Sequence, residues 1–159
     1  MKRVLTLIVL LLAVLPVATP GQIEKAPALA LKDLRGRTVR LSAYKGKVVL
    51  LNFWATWCPP CRAEMPDLVK WQRENRSRGL QVIGVTYPPA ERAEVHTFIR
   101  SLGVNYPVLL GTKKTMSLFT PGETLPLTIV IDREGNVRDH IEGIILPEEF
   151  EQKVKPLLR

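Results

Sequence analysis

Cys58 and Cys61 are the only cysteines in 159 residues, and they stand between an apolar run and a helical pattern. A thiol at the start of a helix sees unsatisfied backbone N–H groups and the positive end of the helix dipole. Both favour the thiolate, which is the species that attacks disulfides. The pair therefore points to thiol–disulfide exchange. Other uses of paired cysteines are weaker fits to the same residues. A purely structural bridge would close a loop too short to restrict the unfolded chain much. Zinc would need four ligands, and only His96 and His140 remain, at distant and unpaired spacings. Haem attachment needs a histidine directly after the second cysteine, where Arg62 stands.

The elements that must position the pair are legible on both sides of it. Residues 48–53 form an uninterrupted, mostly apolar run of the kind that makes a strand buried on both faces of a sheet. Pro60 then falls where a first-turn proline is tolerated, and Cys61, Met65, Leu68, Val69 and Trp71 follow with helical spacing to about residue 77, closed by Gly79. Pro66 lies inside this helix and is expected to kink it. Residues 80–86 are the next strand, completing a β-α-β unit with a right-handed crossover. Upstream, 29–31 and 38–41 flank a turn around Asp33 and Gly36 and read as a β-hairpin. Downstream, Tyr87-Pro88-Pro89 breaks the chain. Val95, Phe98, Ile99 and Leu102 line one face of a helix over 91–102, stopped by Gly103. A short strand at 107–110, a short helix at 113–119, a strand at 127–131, a turn at 132–136, a strand at 137–145 and a helix from 147 or 148 to about 158 complete the order. This is an α/β architecture, a mixed central sheet flanked by helices, in one domain over 29–159.

Lys2 and Arg3 precede an almost unbroken apolar run over 4–15, and Pro16, Pro20 and Gly21 follow it, the layout of an export signal. The run is shorter than the about 20 residues a spanning helix needs, which favours cleavage. Pro16 at the outer small-residue position of a cut after Ala18 favours retention. Residues 1–20 are thus a signal peptide or an N-terminal membrane anchor, and 21–28 a tether. Either outcome places the domain outside the cytoplasm, periplasmic or on the outer face of the membrane, where a cysteine pair can rest as a disulfide. The net charge of +8 is moderate and scattered, with no basic run interleaved with aromatics, so nucleic acid is not an expected partner. No metal and no cofactor beyond a Cys58–Cys61 disulfide is expected, and the domain is expected to be a monomer.

Phe53-Trp54-Ala55-Thr56-Trp57-Cys58-Pro59-Pro60-Cys61 resembles the active-site motif of thioredoxin-fold oxidoreductases. The longer pattern resembles their exported TlpA/ResA-like branch: Lys45-Gly46-Lys47 before the strand, Glu64 and Pro66 after the pair, Leu125-Pro126 before a later strand, and Asp132-Arg133-Glu134-Gly135 after it. The resemblance implies a thioredoxin-like fold with an N-terminal hairpin and a central insertion over about 87–110. It also implies a reductant of extracytoplasmic cysteines, such as those of apocytochrome c awaiting haem, supplied with electrons by a membrane thiol reductase.

Within that resemblance Cys58 is expected to be the exposed nucleophile and Cys61 the resolving thiol. Leu125-Pro126 is the expected cis-proline loop facing them, and Trp57, Pro59, Pro60, Leu125 and Pro126 the expected partner contacts. Asn52, Phe53, Trp54 and Pro66 are expected to support the site. Asn52 stands where thioredoxin has a buried aspartate and cannot carry a proton. Glu64, three residues after Cys61, is either a carboxylate that replaces that acid by helping to deprotonate Cys61, or an exposed first-turn glutamate that favours the helix dipole. Pro59 and Pro60 remove two backbone donors from the helix start, which argues for a mild reductant over a strong oxidant. The competing readings are a disulfide-forming oxidase and a redox-inert binding module. No third cysteine exists for a peroxidatic site.

Overall fold

The computed structural model describes residues 24–88 and 90–158, so the expected signal and the first part of the tether lie outside the described residues. The strands are β1 (Ala30–Asp33), β2 (Thr38–Arg40), β3 (Val48–Trp54), β4 (Leu80–Thr86), β5 (Val108–Leu110), β6 (Leu127–Ile131) and β7 (Val137–Glu142). The helices are α1 (Pro59–Asn75), α2 (Arg92–Ser101) and α3 (Lys113–Ser117). One seven-stranded sheet runs in the order β2-β1-β5-β4-β3-β6-β7. β3 and β5 flank β4 in parallel, whereas the β1–β2 hairpin joins the edge antiparallel to β5, and β6 and β7 add antiparallel beyond β3.

All seven residues of β3 and all seven of β4 are buried, as a doubly covered central pair requires. Successive side chains of a strand point to opposite faces. Asn52 and Trp54 therefore share a face, where Asn52 meets Glu64 of α1 and Trp54 stacks on Phe98 of α2 at 5.3 Å. Phe53 points the other way, to Phe119 just after α3 at 5.6 Å. Helices thus cover both faces, and the chain leaves β3 between them to make the turn that carries Cys58.

α1 continues through the exposed Pro66 to Asn75, tightens into one 3-10 turn and ends on Gly79 with φ +91, a left-handed stop that suits glycine. Two elements differ from the expectation. β7 stops at Glu142, three residues early, because Gly143 adopts φ +83 and turns the chain out of the ladder. The C-terminal helix is a segment of changing pitch: a short α turn over Pro147–Glu149, a π turn over Phe150–Val154 and a 3-10 turn over Lys155–Leu157. Pro156 has no N–H for the ladder and its ring crowds the carbonyl four residues back, so a regular α-helix cannot run through. Phe150 stacks on Trp71 at 4.3 Å and docks this segment on α1.

At the start of β3 the chain is gathered by Arg133, whose guanidinium donates to the carbonyls of Gly46 (2.9 Å) and Arg78 (2.7 Å). Arg133→Lys keeps the charge and loses the fork, so a cost of about 1–2 kcal/mol in urea unfolding is expected. The described chain enters at this same end, where Lys25 bridges Asn136 and the Ala26 N–H donates to Gly135 (3.0 Å). The cysteines lie at the other end of β3.

Candidate active site

Cys58 is the N-cap of α1, with φ −100 and ψ 103, and is disulfide-bonded to Cys61 across a Cα–Cα distance of 5.3 Å. A helix start leaves four N–H groups without intrahelical partners. Here the first two helical residues are Pro59 and Pro60, which have none, and the Arg62 N–H goes to the Cys58 carbonyl (3.2 Å). The Cys61 N–H is left for the Cys58 Sγ, at 3.3 Å.

Cys61 is fully buried and Cys58 is 5 % exposed, so the expectation of an exposed nucleophile is corrected. The bond to an interior sulfur and the cap to the helix both draw Cys58 inward. Beside it Trp57 is 54 % exposed, its ring edge-on to Tyr87 at 6.5 Å, and Pro59 and Pro60 are exposed. Leu125-Pro126 is a cis peptide bond, with Pro126 buried and its carbonyl accepting from the Gly143 N–H at 2.8 Å. Leu127 pairs with Phe53, so Pro126 lies one step further along, level with the end of β3 from which the cysteine turn departs.

Glu64 is 1 % exposed and lies beyond the first turn of α1, which removes the exposed first-turn reading. Asn52 Nδ2 donates to Glu64 Oε1 at 2.7 Å and to Thr128 Oγ1 at 3.0 Å, and the Ile145 N–H donates to Glu64 Oε2 at 3.2 Å. Burial pushes the carboxyl up to about 7, against the pull of the hydrogen bonds from Asn52 and Ile145 toward the charged form. Tyr106, whose own hydroxyl is buried without a partner, is raised chiefly by desolvation and further by the charge of Glu64. The amide that replaces thioredoxin's acid and the acid that follows the cysteines are therefore one hydrogen-bonded unit.

The structure brings Cys58, Cys61, Trp57, Pro59, Pro60, Leu125 and Pro126 to one end of the sheet, with Asn52 and Glu64 buried beneath. Phe53 and Trp54 are interior side chains. Pro66 is exposed on α1 and can act on the site only through its helix, by leaving the Arg62 carbonyl without its usual donor. Three groups were not singled out from the sequence: Thr128, Ile145 and Tyr106. Thr128 left a signal, as the one polar residue in the strand 127–131. Ile145 acts through its backbone and left none. His96 and His140 are exposed, and among the described residues no group of three His, Cys, Asp or Glu is placed to hold a metal ion. No described helix is long and apolar enough to cross a membrane.

Residues 23–140 match the AhpC/TSA family. The chain is similar to the thiol-disulfide oxidoreductase ResA of Bacillus subtilis, 35 % identical over 134 residues, which cover 82 % of this chain and 74 % of that protein. It is also similar to the thioredoxin-like protein YneN of the same organism, 38 % identical over 133 residues, 82 % and 77 % of the two chains. Among solved structures, a thioredoxin-family thiol:disulfide interchange protein from Chlorobium tepidum superposes with a TM-score of 0.78 at 32 % identity, over 87 % of this chain and 99 % of that one. A secreted thiol-disulfide isomerase from Corynebacterium glutamicum superposes with a TM-score of 0.77 at 26 % identity, over 83 % and 84 %.

Proposed function

We propose that this chain, which belongs to the AhpC/TSA family and is a thioredoxin-fold thiol–disulfide oxidoreductase, works outside the cytoplasm as a mild reductant of partner disulfides. The Cys58 thiolate attacks one sulfur of the partner's disulfide, forming a Cys58–partner bond and releasing the other partner sulfur as a thiolate. Cys61 then loses its proton and attacks the Cys58 Sγ. The Cys58–Cys61 disulfide forms, the second partner sulfur leaves, and two electrons have passed to the partner. Glu64 takes the Cys61 proton, a task suited to a carboxyl that titrates near the working pH. Trp57, Pro59, Pro60 and the Leu125-Pro126 loop form the contact surface, and a membrane thiol reductase returns the pair to the dithiol. Apocytochrome c awaiting haem is the partner that the family resemblance favours.

The direction rests on one observation: a single backbone N–H reaches Cys58 Sγ. Strong oxidants draw their power from a very stable reduced thiolate, and two prolines at the helix start withhold the donors that would create one. Equilibration of the pair with glutathione buffers is expected to give a potential more reducing than about −200 mV. A potential near about −120 mV, where strong oxidants sit, would overturn the reading. Pro60→Ala restores one N–H beside the sulfur and is expected to move the potential in the oxidising direction.

A further inference from the structure

Two buried donors stand without a partner on the face of the sheet that carries Asn52: the Trp54 Nε1–H and the Tyr106 hydroxyl. Trp54 lies two residues beyond Asn52 on β3, and Gly84 of β4 pairs with Asn52, so all three share that face. Gly84 has no side chain to fill the space beside Asn52. A Cβ there would stand 2.7 Å from Trp54 Nε1 and 3.4 Å from Tyr106 Cε2, so the indole N–H and the phenol ring come together over bare backbone. Asn105 Nδ2 donates to the Val69 carbonyl of α1 at 3.0 Å, which sets the neighbouring Tyr106, 7 % exposed, against the helix that carries Glu64. Glu64 is the acceptor with capacity to spare. Its two oxygens accept one bond each, from Asn52 and Ile145, where a carboxylate has room for about four. Buried donors and acceptors are nearly always paired, through the protein or through water.

We propose that one trapped water over Gly84 accepts from Tyr106 and Trp54 and donates to the Glu64 carboxylate, which makes Tyr106 a positioning residue for the proton step between Cys61 and Glu64. The inference rests on the reading of Glu64 as the acceptor of the Cys61 proton. A water at a buried site needs two to four polar partners, and these three supply them. Desolvation, and then the charge of Glu64, raise Tyr106 above an ordinary phenol, so its O–H stays a donor across the working range of pH. The two groups are within electrostatic reach with no direct bond between them, a relation that one bridging water accounts for. A third donor favours the charged carboxylate. Glu64 is thereby ionised at a lower pH than without the water, and the Cys61 proton meets a base near neutrality. The other groups facing Glu64 are Asn52 from β3, the Ile145 amide from the segment after β7 and, three positions earlier on its own helix, Cys61. Tyr106 also borders a cavity of about 510 Å³ whose charged or titratable lining is Asp33, Arg35, Arg37, Tyr44 and His96, with Asp33 and Arg37 paired at 2.8 Å.

The test compares Tyr106→Phe with the wild type in the oxidised full chain, where Cys61 is held in the disulfide and does not titrate. The Glu64 midpoint, followed by 13C NMR and assigned through Glu64→Gln, is expected to rise by at least about half a unit, about a threefold change in the acid equilibrium. Urea unfolding is expected to make the substitution costlier at pH about 8.5 than at pH about 5, because the lost bond serves the charged form, and that difference is expected to vanish in a Glu64→Gln background. The resolving step, followed by stopped-flow release of a peptide thiol from Cys58, is expected to slow about threefold below the Glu64 midpoint and to change little above pH about 8.5. Equal midpoints or a cost independent of pH would make Tyr106 a packing residue and overturn the proposal. A high-resolution crystal structure in which no water joins the hydroxyl, the indole N–H and the carboxylate would overturn it too. A Glu64→Gln chain that resolves at the wild-type rate at every pH would defeat Glu64 as the proton acceptor, and the proposal with it, even where the midpoints differ.

Discussion

Cys58→Ser is expected to abolish disulfide exchange, whereas Cys61→Ser is expected to leave one round of attack that stalls as a mixed disulfide. The asymmetry follows from the helix start. Cys58 is the capping residue, receives the one free N–H of the first turn and is the residue of the pair with any exposure, so it is the one a partner disulfide is expected to approach. Cys61 is fully buried and bonded to Cys58. A serine hydroxyl in place of Cys58 forms no disulfide, so turnover of a labelled disulfide peptide with dithiothreitol as reductant falls to the uncatalysed level. With Cys61→Ser the first label is released at its normal rate and the adduct persists, visible as a mass increase that excess thiol removes. Loss of the cross-link itself is expected to destabilise the fold little, because the short Cys58–Cys61 loop restrains the unfolded chain little, and a folded far-UV spectrum of each variant checks this. A Cys58→Ser protein that still turned over would make Cys61 the attacking thiol, whereas a wild-type protein without turnover would favour the redox-inert module.

Glu64→Gln is expected to change the pH dependence of both stability and rate. In the fold burial raises the carboxyl to about 7, above the 4.5 of an ordinary glutamate. The sign follows from linkage. Where the folded value is the higher one, the group's contribution is fully present below the unfolded value and is lost as pH rises through the folded one. Oxidised wild-type protein should therefore lose about 3 kcal/mol from this group between pH about 4.5 and pH about 8, and the glutamine variant should not. Urea unfolding at the two pH values measures the difference. A wild-type profile parallel to the variant's would mean that Glu64 is ionised in the fold like any surface carboxylate. The substitution is well accommodated, because Asn52 Oδ1 is buried without a partner and can accept from the new amide once Asn52 turns over. The resolving step should slow by about tenfold to a hundredfold, most of all near neutral pH.

Strands β3, β4 and β6 were legible because their runs are predominantly apolar and a glycine or proline stands near at least one end of each. α1 was legible because its cap, its paired prolines and its apolar spacing agree with one another. The end of β7 was not, since apolar Ile144 and Ile145 continue a strand pattern and only the conformation of Gly143 stops it. Nor was the pitch of the C-terminal segment, where a competent helical composition meets Pro156. In the site, the cysteines and their proline neighbours were readable as chemistry at a spacing. The surroundings of Glu64 were not, because they are built by long-range contacts: Asn52 lies 12 residues away, Thr128 meets Asn52 across 76, and Ile145 reaches Glu64 across 81. A glutamate on a helix looks the same in sequence whether it faces water or an amide and a backbone N–H. Only the register of β3 against β6 and the turn after β7 separate those fates.

Lys25 and Asn136 meet at one end of β3 and Cys58 leaves the other, so the seven residues of that strand, about 23 Å at the usual rise, separate the chain's point of entry from its reactive sulfur. A molecule held to a surface by the segment before residue 24 would carry its disulfide on the far tip. Soluble partners would meet that tip without any rearrangement. An electron donor embedded in the surface would meet the opposite pole, and the molecule would have to turn over before its disulfide could be reduced, a step separate from the chemistry with each partner.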